Sequence, residues 1–389
     1  MVKIAHVTTI DASLYHLLLD QLISLQGEGC TVVGVSSSGP YHEKLRDAGI
    51  RHIPVLMTRK IFTPFRDLLT LVRLVDVFVR EDFSIVHTHT PKAGVLGRLA
   101  AYFARVPVIV HTIHGFHFHE RTPWIQKKLF IFLEKAAARP TDLILSQNKE
   151  DMDIAVRTGI CGPEKIEFLG NGINLNRFDP QRFTSKDVDA LRKSLGYSDD
   201  ERVIGYVGRL EGRRKGLWDL LTAAKIVKDH MGQVQLLVVG SLERAEKDVV
   251  GPAQVEKIGI ADICTFTGDV PNQELPLYYA MMDVLVLPSL YEGLPRVVME
   301  ATAMGTPAIV SDVKGNREAV RHGTNGLLVP HGDRQALAAA IYKLLENDSL
   351  RKELAASCRD FAEEHFDQQA VFERLKRSYD ALLGTPDLR

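Results

Sequence analysis

Cysteine is scarce. The 389 residues hold four, at positions 30, 161, 264 and 358, with no CxxC pair, which argues against a zinc ribbon or disulfide framework and fits a reducing compartment. No uninterrupted apolar stretch reaches the roughly 18 residues that a membrane-spanning helix needs. The opening MVKIAHVTTI has no basic n-region, apolar h-region or small-residue cleavage site and reads as a strand, so a cytoplasmic protein, soluble or resting on a membrane surface, is expected. Neither charge is in excess: 48 Lys plus Arg stand against 49 Asp plus Glu, without the strongly basic field of a general nucleic-acid binder. Residues 1–170 carry 20 basic and 17 acidic groups and the remainder 28 and 32, a tilt that would draw the first half towards anionic surfaces. No GxGxxG follows the first strand of either half, which leaves a tandem dinucleotide dehydrogenase unsupported.

What is present is an ordinary globular composition, 45% hydrophobic and 25% charged, in a chain long enough for two domains. Apolar runs at 2–8, 31–35, 52–56, 85–89, 108–112, 143–146 and 165–169 alternate with helical-period segments, the pattern of βα repeats and a parallel sheet. One helix shows a stripe of Leu14, Leu17, Leu18, Leu22 and Leu25, and Thr63 with Pro64 marks the start of another. The Gly-, Asn- and Pro-rich LGNGINLNRFDPQRF interrupts the alternation, which restarts at 203–207, 234–239, 263–267, 284–288, 307–311 and 326–329. An α/β protein of two Rossmann-like domains follows: 1–170, a linker at 171–200, 201–366, and a C-terminal helix at 367–389 expected to pack back on the first domain. Ligands of such sheets bind beyond the carboxyl ends of the strands, so a cleft between the domains is the expected active site.

Two segments concentrate polar chemistry. In PSLYEGLPRVVMEATAMGTPAIVSD, a strand ends near Pro288, and a Gly293–Leu294–Pro295 turn leads into a helix carrying Glu300, with Glu292 just before it. A helix start offers free N–H groups and partial positive charge to a phosphate, and the two carboxylates could hold hydroxyls on either side. In VIGYVGRLEGRRKGL, Arg209, Arg213, Arg214 and Lys215 follow a strand, where fixed cations could neutralise a diphosphate. Solvated surface charge remains an alternative for both segments.

Together these segments resemble the retaining nucleotide-sugar glycosyltransferases of glycosyltransferase family 4, which have the GT-B fold of two Rossmann-like domains facing across a cleft. The resemblance rests on the E-x7-E pair Glu292–Glu300 with Gly293, Leu294 and Pro295, the VGRL…KG loop, NGIN…F.P from Asn171, and FTGDV at 266–270. It implies that Arg209 and Lys215 grip the donor diphosphate, that Glu300 holds the ribose, and that Glu292 with the Gly293–Leu294–Pro295 backbone faces the transferred sugar. Gly268 and Val270 would lie by the base. It also implies transfer with retention, no metal cofactor, a nucleotide-diphosphate sugar donor, a UDP-sugar by expectation, and a sugar or polyprenyl-linked sugar acceptor. HTHTPKAGVLGRLAA and HTIHGFHFHE are similar to the subgroup serving bacterial capsule, exopolysaccharide and lipid-linked oligosaccharide assembly. Three differences from the family stand out: no glycine in 8–13, a basic loop one residue longer, so that Arg214 could replace or assist Lys215, and GSLERAE without a further glycine after the strand at 234–239.

Histidines gather in the first half, at 87, 89, 111, 114, 117 and 119. Their spacing fits no HExxH, and no Asp, Glu or Cys set completes a zinc site. A hydrogen-bonded wall is the expected role of His87, His111, His117 and His119. His114, at a strand end before Gly115, matches the acceptor-side histidine of family 4 and is expected to touch donor sugar or acceptor. Segment 59–80 sets Arg66, Arg73 and Arg80 seven residues apart, with an apolar face through Phe65, Leu68, Leu69, Val72 and Val75. It reads either as a packed helix with a solvated face or as a contact to an anionic membrane. A nucleotide-sugar epimerase of the same fold and a non-catalytic nucleotide-sugar-binding protein are the competing functions.

Overall fold

The structure, a computed structural model, describes residues 1–60, 63–116, 118, 122–242 and 248–384. The chain divides into two compact units, Met1–Gly170 with Gln369–Arg389, and Asn171–Gln368. His117 and His119 lie outside the described residues.

The first unit is built on seven strands: β1 (Lys3–Ile10), β2 (Thr31–Ser37), β3 (Arg51–Pro54), β4 (Ile85–Thr88), β5 (Val108–Ile113), β6 (Leu143–Ser146) and β7 (Ile166–Phe168). They lie in the order β3-β2-β1-β4-β5-β6-β7, all parallel. The central strands β1, β4, β5 and β6 are buried along nearly their whole length, which is why they appear in sequence as unbroken apolar runs rather than alternating ones. Helices cover both faces, and the C-terminal helix Gln368–Leu383 completes one of them by placing Val371, Leu375 and Tyr379 in the core with Ile4, Ile85 and Val110.

The second unit repeats the plan with β8 (Arg202–Val207), β9 (Val234–Val239), β10 (Cys264–Gly268), β11 (Val284–Leu287), β12 (Ala308–Ser311) and β13 (Gly326–Val329), in the order β10-β9-β8-β11-β12-β13 and again parallel. Residues 171–200, which composition marks as a linker, are folded into this unit. Ile173, Phe178 and Tyr197 join its core, and the helix Ser185–Ser194 starts with a capping box between Thr184 and Asp187. In both sheets the strand order reverses once, between β1 and β4 and between β8 and β11. Loops leaving the carboxyl ends at a reversal diverge to opposite faces and open a crevice there.

One helix departs from its sequence pattern. A π-helical turn at Leu14–Leu18 separates Asp11–Ser13 from Leu19–Gly27. Its extra residue per turn shifts the phase, so Leu14, Leu18, Leu22 and Leu25 are buried while Leu17 is exposed.

Candidate functional site

The carboxyl ends of β8 and β11 bring the two polar segments together. After β8 the Tyr206 hydroxyl donates to the Arg209 carbonyl (2.6 Å), which pins the start of the basic loop. The Leu290 N–H donates to the Arg214 carbonyl (2.9 Å) and ties the loop after β11 to it. Glycine is needed at two approaches: a Cβ on Gly216 (φ +72°) would lie 2.0 Å from the Pro288 carbonyl oxygen, and one on Gly315 (φ +81°) 2.2 Å from that of Gly293. Below the turn, the Asn316 amide donates to Ser311 O (3.0 Å) and the Ser311 hydroxyl donates to Ser289 O, so the Glu292 turn stands on a buried polar base.

Lys215 Nζ donates to Glu292 Oε1 at 2.7 Å, and both side chains are largely buried. Burial lowers the Lys215 ammonium below its ordinary range, the nearby Glu292 carboxylate opposing. Beside this pair, Glu211, itself buried, is ion-paired with two arginines: Arg209 Nη1 lies 3.1 Å from Oε1, and Arg214 Nε donates to Oε2. The Arg214 guanidinium also stands 5.6 Å from the Tyr291 ring centroid. Three cations thus share two carboxylates, and Arg214 Nη2 is buried without a hydrogen-bond partner among the described residues. A buried cationic donor with no acceptor is costly, and an anionic ligand would satisfy it. The sequence offered no sign of Glu211 beyond its place between charges in RLEGRRK, where an acidic residue reads as solvated.

The other donor-side candidates make contacts of their own. Glu300, on the helix Arg296–Ala303, is buried and accepts from the Tyr279 hydroxyl (2.8 Å), with Arg296 Nε 3.8 Å away. Burial raises its carboxyl above the usual range, Arg296 and the Tyr279 hydrogen bond opposing. Leu294 and Pro295 are buried where that helix begins, and Gly293 is half-buried. Gly268, at the end of edge strand β10, accepts from the Gly240 N–H (3.0 Å), and Val270 packs partly buried on the core.

In the first unit His114 ends a chain of imidazoles. His6 Nδ1 lies 3.0 Å from His89 Nε2, and His89 Nδ1 lies 2.9 Å from His114 Nε2. His6 was not singled out in sequence because its partner is 83 residues away. His87 is held between the Tyr379 hydroxyl (2.6 Å) and Thr112 (2.7 Å), and His111 Nδ1 between the Thr88 hydroxyl (2.9 Å) and carbonyl (3.0 Å). Burial lowers all five rings, His6 to about 3 and His114 to about 4, so they are neutral at physiological pH. Nitrogens of His6, His87 and His89 lie within 4.8 Å of one another, and among them only His6 Nε2 has no hydrogen-bond partner among the described residues.

Two Rossmann-like parallel-sheet units, with a cationic site where the second sheet reverses, are the parts of a GT-B glycosyltransferase. Family models agree: "Glycosyltransferase Family 4" matches residues 17–177 and "Glycosyl transferases group 1" residues 187–361. The capsular polysaccharide biosynthesis glycosyltransferase CapM of Staphylococcus aureus is 31% identical over 98% of this chain and 97% of its own. The Escherichia coli UDP-Gal:alpha-D-GlcNAc-diphosphoundecaprenol alpha-1,3-galactosyltransferase is 28% identical over 97% and 96%. The crystal structure of Anabaena Alr3699/HepE in complex with UDP and glucose superposes with a TM-score of 0.82 at 21% identity, covering 98% of this chain and 100% of that one. The chain belongs to glycosyltransferase family 4 and is a glycosyltransferase.

Proposed function

We propose that this enzyme moves a sugar from a UDP-sugar, with retention at the anomeric carbon, to a sugar carried on a polyprenyl diphosphate, in the assembly of a bacterial surface polysaccharide. The observation that carries the reading is Arg214 Nη2, which has no hydrogen-bond partner among the described residues, beside the buried Lys215–Glu292 pair. In this reading Arg209, Arg214 and Lys215 meet the donor diphosphate and stabilise the charge that develops as its bond to the sugar breaks. The departing phosphate oxygen accepts the acceptor hydroxyl's proton as that hydroxyl's oxygen bonds the anomeric carbon on the same face. Glu292 orients Lys215 and faces the sugar, Glu300 the ribose, and Gly268 and Val270 the base. His114 contacts donor sugar or acceptor. With three fixed cations at the diphosphate, no metal is required. The lipid-linked acceptor and the UDP donor are supported by the name of the E. coli relative.

The enzyme works at an anionic membrane surface through the helix Pro64–Glu81. Its apolar residues Phe65, Leu68, Leu69, Val72 and Val79 are exposed, while Leu74 and Phe78, with Thr70, are buried. No described helix is long and apolar enough to cross a membrane.

The test is turnover of Arg209→Ala, whose side chain is 37% exposed and whose removal leaves Glu211 paired with Arg214. A loss of about 10²–10³-fold in kcat/KM is expected for one lost contact to developing charge; wild-type rates would overturn the site. Conversion of donor without acceptor would make the protein an epimerase instead. A thermal-shift panel of nucleotide diphosphates identifies the base, since a ligand that binds only the folded state raises stability.

A further inference from the structure

The Glu300 carboxylate has one oxygen engaged and one open. Oε2 accepts from the Tyr279 hydroxyl at 2.8 Å. Oε1 accepts no hydrogen bond among the described residues, since Arg296 Nε, at 3.8 Å, stands too far away to donate. The side chain keeps 9% of its exposure, and that exposure includes Oε1, which is not among the atoms buried without a partner. A buried carboxylate retained only for the fold is bonded at both oxygens. One that is held on its inner side and bare on its outer side is set to receive a donor from a ligand.

Tyr279 is placed to hold that carboxylate and not to touch a ligand itself. It lies on the helix Leu275–Met281 and is fully buried. Its carbonyl accepts from the Thr306 hydroxyl (2.8 Å), and its ring packs edge-on against Phe178, with 6.1 Å between centroids. Thr306 follows the helix Arg296–Ala303 that carries Glu300, so phenol and carboxylate are fixed to each other by side chain and by backbone. Burial and the Glu300 carboxylate push the Tyr279 phenol well above its ordinary range, and it remains a donor at working pH. The other charges facing Glu300 are Arg296 on its own helix and Arg177 beside Phe178; with the Tyr279 hydrogen bond they favour the ionised carboxylate against its burial.

We propose that Tyr279 is a positioning residue that makes the enzyme select a ribonucleotide donor over a 2′-deoxyribonucleotide one: its hydroxyl fixes Glu300 Oε2, so that Oε1 alone meets the ribose 2′-hydroxyl. This rests on Glu300 being the ribose contact. A loose carboxylate can turn and find another partner, but a held one cannot. A donor without the hydroxyl therefore covers Oε1 and leaves it unbonded, which is how a polar site rejects an analogue. The experiment is calorimetric titration of the full chain with UDP and 2′-deoxy-UDP, repeated with GDP and 2′-deoxy-GDP, for the wild type, Tyr279→Phe and Glu300→Gln. The wild type should bind one ribonucleotide about 10- to 100-fold tighter than its deoxy counterpart, the effect of one hydrogen bond to a charged group. Tyr279→Phe keeps the ring against Phe178 and removes only the hydroxyl. Its ratio should fall to within about threefold through weaker binding of the ribonucleotide, with the deoxy form little changed. A ratio kept at the wild-type value overturns the proposal even where both affinities drop, because an equal loss is the mark of a merely structural role. So does a wild type that does not discriminate. Glu300→Gln separates this outcome from the reading beneath it. Ribonucleotide binding unchanged in that variant, or absent from the wild type, removes Glu300 from the ribose and the proposal with it. A ratio lost in Glu300→Gln and kept in Tyr279→Phe removes Tyr279 alone.

Discussion

Lys215 and Glu292 hold each other's charge in a buried setting, so neither can be changed without exposing the other. Glu292→Ala leaves an unpaired buried ammonium, a change that costs about 3–5 kcal/mol where a buried pair is broken, and its lower activity would mix loss of fold with loss of chemistry. Replacing both, Lys215→Met with Glu292→Leu, should recover most of that stability while activity stays lost; a double variant no more stable than Glu292→Ala would show that the pair is not the cause. The protonation of Lys215 gives a second check. Its ammonium is charged below its lowered pKa and neutral above it, so kcat/KM should hold at neutral pH and fall as pH rises, at a midpoint below the ordinary lysine value of about 10.4. Lys215→Arg keeps its charge throughout, and its profile should lack that fall; identical alkaline limbs in both proteins would exclude Lys215 as the titrating group. Much of this cluster was legible in sequence, because a strand followed by RLEGRRK and a turn followed by E-x7-E bring cations and carboxylates to strand ends. The pairing was not. Whether Glu211 is solvent-exposed or clamped between Arg209 and Arg214, and whether Glu300 meets Tyr279, depends on loops joined over distances that a linear pattern does not encode.

Among the elements, the helix Pro64–Glu81 is the one whose pattern misleads most simply. Its apolar residues at 65, 68, 69 and 72 are the ones a packed helix would bury, yet they are exposed. Periodicity finds the faces of a helix but not which one meets the protein. Under the proposed membrane reading, the unburied apolar face and Arg66, Arg73 and Arg80 beside it would both contribute to binding an anionic bilayer. Each cation contributes about 1 kcal/mol near such a surface. Arg80 is already paired with Asp76 (2.8 Å), so changing all three to Gln should weaken co-sedimentation with phosphatidylglycerol-containing vesicles by roughly 30- to 100-fold, and added salt should weaken the wild type in the same direction. Leu68→Ser with Leu69→Ser should weaken it too, with no fall in melting temperature because both side chains are already in solvent. Unchanged binding in both variants would reject this helix as the contact. The strands were legible nearly to their ends for the opposite reason: burial on both faces leaves one composition that fits, a short unbroken run of β-branched and aliphatic residues.

At the scale of the whole molecule, two units of one plan differ in what their interiors carry, and acid should separate them. His6, His87, His89, His111 and His114 are buried in the first unit with pKa values lowered by desolvation. In the unfolded chain each titrates near 6.5. Below that pH the unfolded state therefore binds protons that the folded state refuses, so these rings cost no stability above about 6.5 and progressively more as the pH falls towards their lowered folded values, which are about 3 for His6 and about 4 for His114. Each such group lowers stability by up to about 1.4 kcal/mol per pH unit, and five together approach the roughly 5–15 kcal/mol that a folded domain has in total. The first unit should then unfold between about pH 6 and 4 at moderate temperature. The two tryptophans fall one to a unit, Trp124 and Trp218, so Trp218 fluorescence in a Trp124→Phe background reports the second unit alone, and far-ultraviolet circular dichroism reports both. The dichroism transition should move to lower temperature from pH 7 to pH 5 in advance of the Trp218 signal. If the two move together, or neither moves, the buried imidazoles are not what limits the first unit. This link was hidden from the sequence, where the histidines stand in separate motifs. Only when β1, β4 and β5 lie side by side, with Tyr379 of the last helix over His87, do five scattered rings become one uncharged interior that acid can open.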